Sequence, residues 1–219
     1  MTGKNAPRTM RADAVRNMQK IRNAAVGVFR EQGLAAPIEE IARRAGVRPG
    51  TVYNRFGSRE GLIDDVVPDL AAAALGQATQ SALAFDDPWE GFVYYLTRIG
   101  EIQAENAALS DAVTRRYIET EHLTHACDVS RSREQEIINR AVQGGSLRAD
   151  FTLEDVQLIF WSTAEIIRST DEIAPNAWRR HLAFILDGLR AGAAHPSGVE
   201  ALSPEQVQKI RLKLGSDGA

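Results

Sequence analysis

The chain has 219 residues, 44% hydrophobic and 25% charged, with a formal net charge of −3, the balance of a globular protein long enough to bury a core. A single cysteine, Cys127, excludes an internal disulfide framework and suits a reducing cytosol. No apolar run approaches the ~18 residues of a membrane span, and the first residues lack the apolar region of a secretory signal.

Residues 1–12 hold Gly3, Asn5, Pro7 and three basic side chains without periodicity, and read as a flexible basic arm. Arg8 and Arg11 suit either a neighbouring DNA groove or a tail with no specific role. A strong amphipathic helix follows from Asp13 to Gln32, with Val15, Met18, Ile21, Ala25, Val28 and Phe29 on one face, Asp13 as N-cap and Gly33 past its end.

The stretch from Ile38 to Phe56 reads as two short helices joined at Gly46. Ile38, Ile41, Ala42 and Ala45 line one side of the first helix; Val47, Val52 and Phe56 line the second. Pro37 stands at the entrance, where a missing N–H costs least. Two helices joined by a tight glycine turn are the helix-turn-helix signature. The outward set on the second helix is Arg48, Pro49, Gly50, Thr51, Tyr53, Asn54 and Arg55. Arginines serve phosphate or guanine, hydroxyls serve phosphate, and Asn serves an adenine edge. Charge agrees. Residues 1–60 carry 12 Lys and Arg against 5 Asp and Glu, a net of +7, whereas residues 61–219 carry a net of −10. The basic end suits a polyanion, with strong salt dependence, and the acidic remainder faces away from it.

Ser58 caps the next helix, whose apolar start is interrupted by Pro68. Proline there removes a hydrogen bond and clashes with the carbonyl of residue 64, so one kinked helix or two helices meeting at Pro68 are expected. The domain division is drawn accordingly: arm 1–12, DNA-binding domain 13–60, helical domain 61–219. Further helices are expected from Asp87-Pro88, from about Asn106 to Thr120, from Ser130 to Gln143, and in the two apolar stretches LEDVQLIFWSTAEIIRST and APNAWRRHLAFILDGLRAG. Ser203-Pro204-Glu205-Gln206 opens a last short helix with cap, N1 proline and Gln at N3. No strand alternation stands out, and the fold class is all-α.

From Ile21 to Val67 the chain resembles the TetR family of bacterial transcriptional regulators. The carrying residues are IRNAAVGVFREQGL, EEIARRAGV and GTVYNRFGSREGLI. The resemblance implies three N-terminal helices that bind DNA and about six more that make 61–219 a ligand-binding and dimerisation domain. It implies DNA contacts by Thr51, Tyr53 and Asn54, close approach at Gly50, and a phosphate contact by Arg59. Pro37 replaces the usual Thr or Ser cap, Arg48-Pro49 departs from the family pattern, and Pro68 is not a usual feature of the linking helix. The implied partners are double-stranded operator DNA, a small-molecule effector and a second copy of the chain, with no membrane. The implied setting is the bacterial cytoplasm, at the nucleoid when bound to DNA.

Arg43 and Arg44 suit phosphate contacts or a solvated helix face equally. Val156, Ile159, Phe160, Trp178, Leu182, Ile185 and Leu189 form stripes on the last two long helices that suit either core packing or a four-helix pairing across a two-fold axis. The resemblance favours the pairing. Trp89, Phe92, Tyr94, Tyr95, Tyr117 and Trp161 are the aromatics available to an effector pocket, although any one of them is more often core. His122, His125 and Cys127 are of metal-ligating type at helical spacing, but such clusters arise often on polar helix ends. No metal or cofactor is assigned. No nucleophile elbow, phosphate loop or zinc-hydrolase motif is present, and the protein is expected not to be an enzyme. The rival reading is a small-molecule- or metal-binding protein using His122, His125 and Cys127; an activator of the same family is a further alternative.

Overall fold

A computed structural model describes residues 6–216, with side chains from Val15 onward. Eleven α-helices are found among the described residues, with no strand. They are α1 (Ala6–Gln32), α2 (Ile38–Ala45), α3 (Pro49–Phe56), α4 (Arg59–Val66), α5 (Pro68–Leu83), α6 (Pro88–Glu105), α7 (Ala107–Thr114), α8 (Glu121–Gln143), α9 (Leu153–Thr170), α10 (Ala177–Leu189) and α11 (Pro204–Ser216). None of the described helices is long and apolar enough to cross a membrane.

The first helix corrects the expected arm. It begins at Ala6, so Asp13 lies inside it and is no cap. Residues 1–5 fall outside the described residues, as do the side chains of Arg8 and Arg11. At Pro68 the second of the two alternatives holds. The chain forms two helices, with Pro68 at the first position of α5 and Val67 between them in a right-handed helical conformation. Proline suits that position because its missing N–H would be unsatisfied anyway. Two expected boundaries also move. The helix after Asn106 stops at Thr114 rather than near Thr120, and α8 starts at Glu121, nine residues before Ser130.

Local caps explain five of the described starts. Ser58 Oγ accepts from Gly61 N at 3.0 Å, Asp87 Oδ1 from Trp89 N at 2.8 Å, and Asn106 Oδ1 from Leu109 N at 3.2 Å. Thr152 and Asp155 form a reciprocal capping box on α9, and Ser203 with Gln206 forms the one expected on α11.

One continuous apolar core runs through the molecule. In the N-terminal part α1 supplies Ile21, Ala25, Val28 and Phe29, α2 supplies Ile38 and Ile41, and Val52, Leu62 and Ile63 close it. Beyond α4, α5 packs chiefly on α8 and α6, and α6 in turn on α9. The ring of Trp178, on α10, lies over Gly100 of α6. Together these helices form the platform on which α1–α4 sits.

Candidate nucleic-acid interface

The turn between α2 and α3 is set by Gly46, at φ 68° and ψ 34°, whose N–H returns to the carbonyls of Ala42 and Arg43. Val47 N also reaches Ala42 O, at 3.0 Å. A left-handed residue that collects the last carbonyls of a helix is the Schellman arrangement, and glycine adopts it without a Cβ clash. Pro37 sits at the N-cap of α2 without a side-chain cap bond, consistent with its lack of a hydroxyl. Pro49 then opens α3, and Arg48 precedes it in extended conformation.

This frame buries Val52 and half-buries Phe56, and it turns the rest of α3 outward. Arg48, Pro49, Gly50, Tyr53, Asn54 and Arg55 are exposed, and Thr51 is half-buried. Tyr53 is 45% exposed despite being aromatic. A Cβ built on Gly50 meets nothing within 4 Å, so the start of α3 is open to close approach. The predicted outward set therefore lies together on one surface.

The three remaining arginines differ from one another. Arg44 is clasped by Glu31 of α1 at 2.6 Å and by Glu40 of α2 at 2.7 Å. Arg43 also pairs with Glu40, at 2.8 Å, but its side chain is 72% exposed. Hydrogen bonds from Arg43 and Arg44 hold the Glu40 carboxyl down to about 2, so these ion pairs persist at any ordinary pH. Arg44 thus ties α2 to α1, whereas Arg43 remains within reach of a phosphate. Arg59 points inward: its Nη1 approaches Ala35 O at 3.4 Å, and its buried Nε lies 3.5 Å from Glu60 Oε1 without a hydrogen bond.

Two contacts fix the reading head on the helical platform and a third braces the head internally, and sequence reasoning missed all of them. Asp64, on α4, accepts from Leu123 N at 2.8 Å and His122 N at 3.2 Å, and its Oδ2 lies 2.7 Å from His122 Nδ1. Burial pushes the Asp64 carboxyl up, but these donors outweigh it and hold the group below its ordinary value. Asp111, on α7, accepts from Leu34 N at 2.8 Å in the loop between α1 and α2. Arg22 grips Asp65 through two hydrogen bonds of 2.7 Å, joining α1 to α4. The partners are 43 to 77 residues apart in sequence, and no local pattern announces such pairs.

The aromatic set does not converge on one cavity. Trp89 and Phe92 cluster with Phe151, at centroid distances of 5.8 and 5.6 Å. Tyr95 packs beside Phe160, and its hydroxyl donates to Glu134 at 3.1 Å, with both side chains buried. Burial lifts the Glu134 carboxyl to about 7, against the pull of Arg131 and the Tyr95 hydroxyl. Trp161 donates its Nε1–H to Thr114 O at 2.8 Å. Tyr117 lies apart, in the turn before α8.

On the last long helices, Val156, Ile159, Phe160, Trp178 and Leu182 are buried in the protomer's own core, while Ile185 and Leu189 are half-buried. The apolar side chains left outward there are Leu158, 47% exposed, and Phe184, 61% exposed. The stripe read from sequence marked the inner side of these helices. His122, His125 and Cys127 do not gather either: His122 holds Asp64, and Cys127 is buried with its Sγ 3.6 Å from Ala112 O. Among the described residues no group of three His, Cys, Asp or Glu is arranged to hold a metal.

Comparison with known proteins agrees with this geometry. Residues 21–66 match the family described as bacterial regulatory proteins, tetR family. Residues 87–191 match the transcriptional regulator SbtR-like C-terminal domain. The HTH-type transcriptional repressor KstR2 of Rhodococcus jostii is 25% identical over 185 residues, spanning 75% of this chain and 87% of that protein. KstR2 of Mycolicibacterium smegmatis is 24% identical over 209 residues, spanning 84% and 95%. The fold is shared with the regulator FadR of Bacillus subtilis, solved in complex with stearoyl-CoA: TM-score 0.58 at 14% identity, over 81% of this chain and 100% of that one. The two family matches together span well over half of the chain, on both sides of α5, and this protein belongs to the TetR family of bacterial transcriptional regulators.

Proposed function

We propose that the protein is a homodimeric repressor that places α3 of each subunit in the major groove of operator DNA and is released by a small-molecule effector. The carrying observation is the exposed face of Tyr53, Asn54 and Arg55 raised over a buried Val52 on a helix opened by Pro49. Arg43, Arg48 and Arg55 supply phosphate neutralisation around it, and Tyr53 and Asn54 supply register and base contact. The repressor descriptions of both KstR2 relatives support the sign of regulation.

Two reading heads must sit ~34–36 Å apart to occupy successive major grooves. The outward faces of α9 and α10, with Leu158 and Phe184 and bordered by the half-buried Ile185 and Leu189, are the surface we assign to the second copy. An effector acts by binding one arrangement of the heads better than the other, and shifts the equilibrium only by that difference. The Asp64 link between α4 and the start of α8 is where the movement is transmitted. The protein works by binding, without catalysis, on DNA in the bacterial cytoplasm.

A gel-shift titration with DNA flanking the protein's own gene tests the reading. A specific, retained complex is expected, whose affinity falls steeply between 50 and 200 mM salt, by orders of magnitude (~10³-fold or more for six phosphate contacts). No preference over unrelated DNA of equal length overturns it.

A further inference from the structure

α11 lies beyond the residues matched by the C-terminal family, and it closes over the end of α7 and the start of α8. Arg116 N donates to Arg211 O at 3.0 Å, and Arg115 Nη1 approaches Leu214 O at 3.4 Å. From α11 the Arg211 side chain reaches inward at 9% exposure, and its Nη2 donates to Ala112 O at 3.1 Å and to Arg115 O at 3.2 Å. Those partners are carbonyl oxygens, which satisfy hydrogen bonds without neutralising the charge. Arg211 Nε is buried with no hydrogen-bond partner, and the hydroxyl of Tyr117, whose side chain is 6% exposed, lies beside the Arg115 guanidinium without a well-formed hydrogen bond.

Both side chains line the same small cavity of about 10 Å³, together with Arg115, Arg116, Leu123 and Asp128. Arg115 is already paired with Asp111 at 3.1 Å, which leaves Arg116 and Arg211 as the cations lining the cavity with Asp128. Outside it runs a groove of about 380 Å³ that shares Arg116, Tyr117 and Asp128 and adds Ile118, Leu212 and Glu119. Ile118 is 72% exposed, an apolar side chain without cover in this groove. A buried cation and a buried hydroxyl, each with an unfilled hydrogen bond, carry a desolvation cost that an anionic oxygen relieves.

We infer that the cavity and the groove form an effector site for a small monocarboxylate, its carboxylate taken by Arg211 Nε and Tyr117 Oη and its short body lying on Ile118 and Leu212. Burial, with the nearby charge of Asp111, raises the Tyr117 phenol, which keeps it a hydrogen-bond donor. Glu119 and Asp128 turn away polyanions such as nucleotides. The cavity as it stands has room for one water and no more, so a carboxylate enters only as α11 or the start of α8 gives way. Leu123 lines this cavity and also donates its N–H to Asp64 of α4, so the displacement falls on the link that holds the reading head. This signal rests on the regulator reading above; the binding itself does not.

The test uses the full-length protein without DNA, titrated calorimetrically with acetate, hexanoate and benzoate, and with hexanamide and benzamide as neutral counterparts. Saturable binding of at least one acid and none of its amide is expected. Tyr117→Phe and Arg211→Lys each weaken it about tenfold, the loss of one charge-assisted hydrogen bond. Tyr117→Phe removes only one oxygen and leaves the fold in place. The inference is overturned if no acid binds, if the amides bind as well, if both variants bind as wild type does, or if a benzoate-soaked crystal shows only a single water at Arg211. A probe-free gel shift separates the two readings: operator binding without carboxylate binding removes the site alone, and carboxylate binding without operator binding removes the regulator alone.

Discussion

Tyr53 and Asn54 on the one hand, and Glu134 on the other, show how differently single residues carry information. Tyr53 is exposed on α3 and touches no core. Tyr53→Ala or Asn54→Ala is expected to change stability by no more than about 0.5 kcal/mol while abolishing specific operator binding; circular-dichroism melts and gel shifts on the same samples check both halves. Their outward position was legible because Val52 and Phe56 already filled the inward side of α3. Glu134 was not legible: nothing local distinguishes it from the charged residues beside it on α8. Burial beside Tyr95 lifts its carboxyl from 4.5 to about 7, so the folded chain holds that proton more tightly than the unfolded one. The stability this contributes is fully present below pH 4.5 and is lost as pH rises through about 7, amounting to about 3 kcal/mol if the whole shift is expressed. Glu134→Gln should therefore flatten this part of the pH dependence and melt above wild type at pH 8. An unchanged difference in melting temperature between pH 5 and pH 8 would refute the assignment.

Among the elements, the junction of α3 and α4 is the most constrained. A Cβ at Gly61 would lie 2.1 Å from Phe56 O, against backbone that cannot swing aside. Gly61→Ala is expected to cost about 1–3 kcal/mol, seen as a melting temperature lower by several degrees, and to weaken operator binding because α3 shifts with the junction. The helix-turn-helix itself was readable to the residue, since Gly46, Pro49 and Ser58 act on their immediate neighbours. Farther along, local signals ran out. The sequence pattern carried the helix after Asn106 on to Thr120, but Arg115 adopts extended backbone, with φ −123° and ψ 166°, and the chain then turns to bring Tyr117 under α11. Likewise α8 begins nine residues before its clearest apolar pattern, because Asp64 from a distant helix supplies the acceptor for its first N–H groups.

Across the whole molecule, the acidic links at Asp64 and Asp111 join the reading head to the platform, and the outward faces of α9 and α10 join one protomer to another in our reading. Phe184→Glu combined with Leu158→Glu should yield a folded monomer by light scattering with operator affinity reduced at least tenfold; a dimer that persists would move the interface elsewhere. Asp64→Asn should leave DNA binding in place and weaken the response to effector, since the amide retains one acceptor oxygen but loses the charge opposite His122. Periodicity, caps and the charge difference between the first 60 residues and the rest were enough to decide an all-helical chain with a DNA-reading head, because each depends on residues within a few positions of one another. Which stripe of α9 and α10 faces inward, which arginines near α3 are already paired, and which side chains line the cavity beneath α11 depend on partners tens of residues apart. Those were decided only when the helices packed, as a helix with apolar residues on more than one side carries no local record of which side its neighbours will cover.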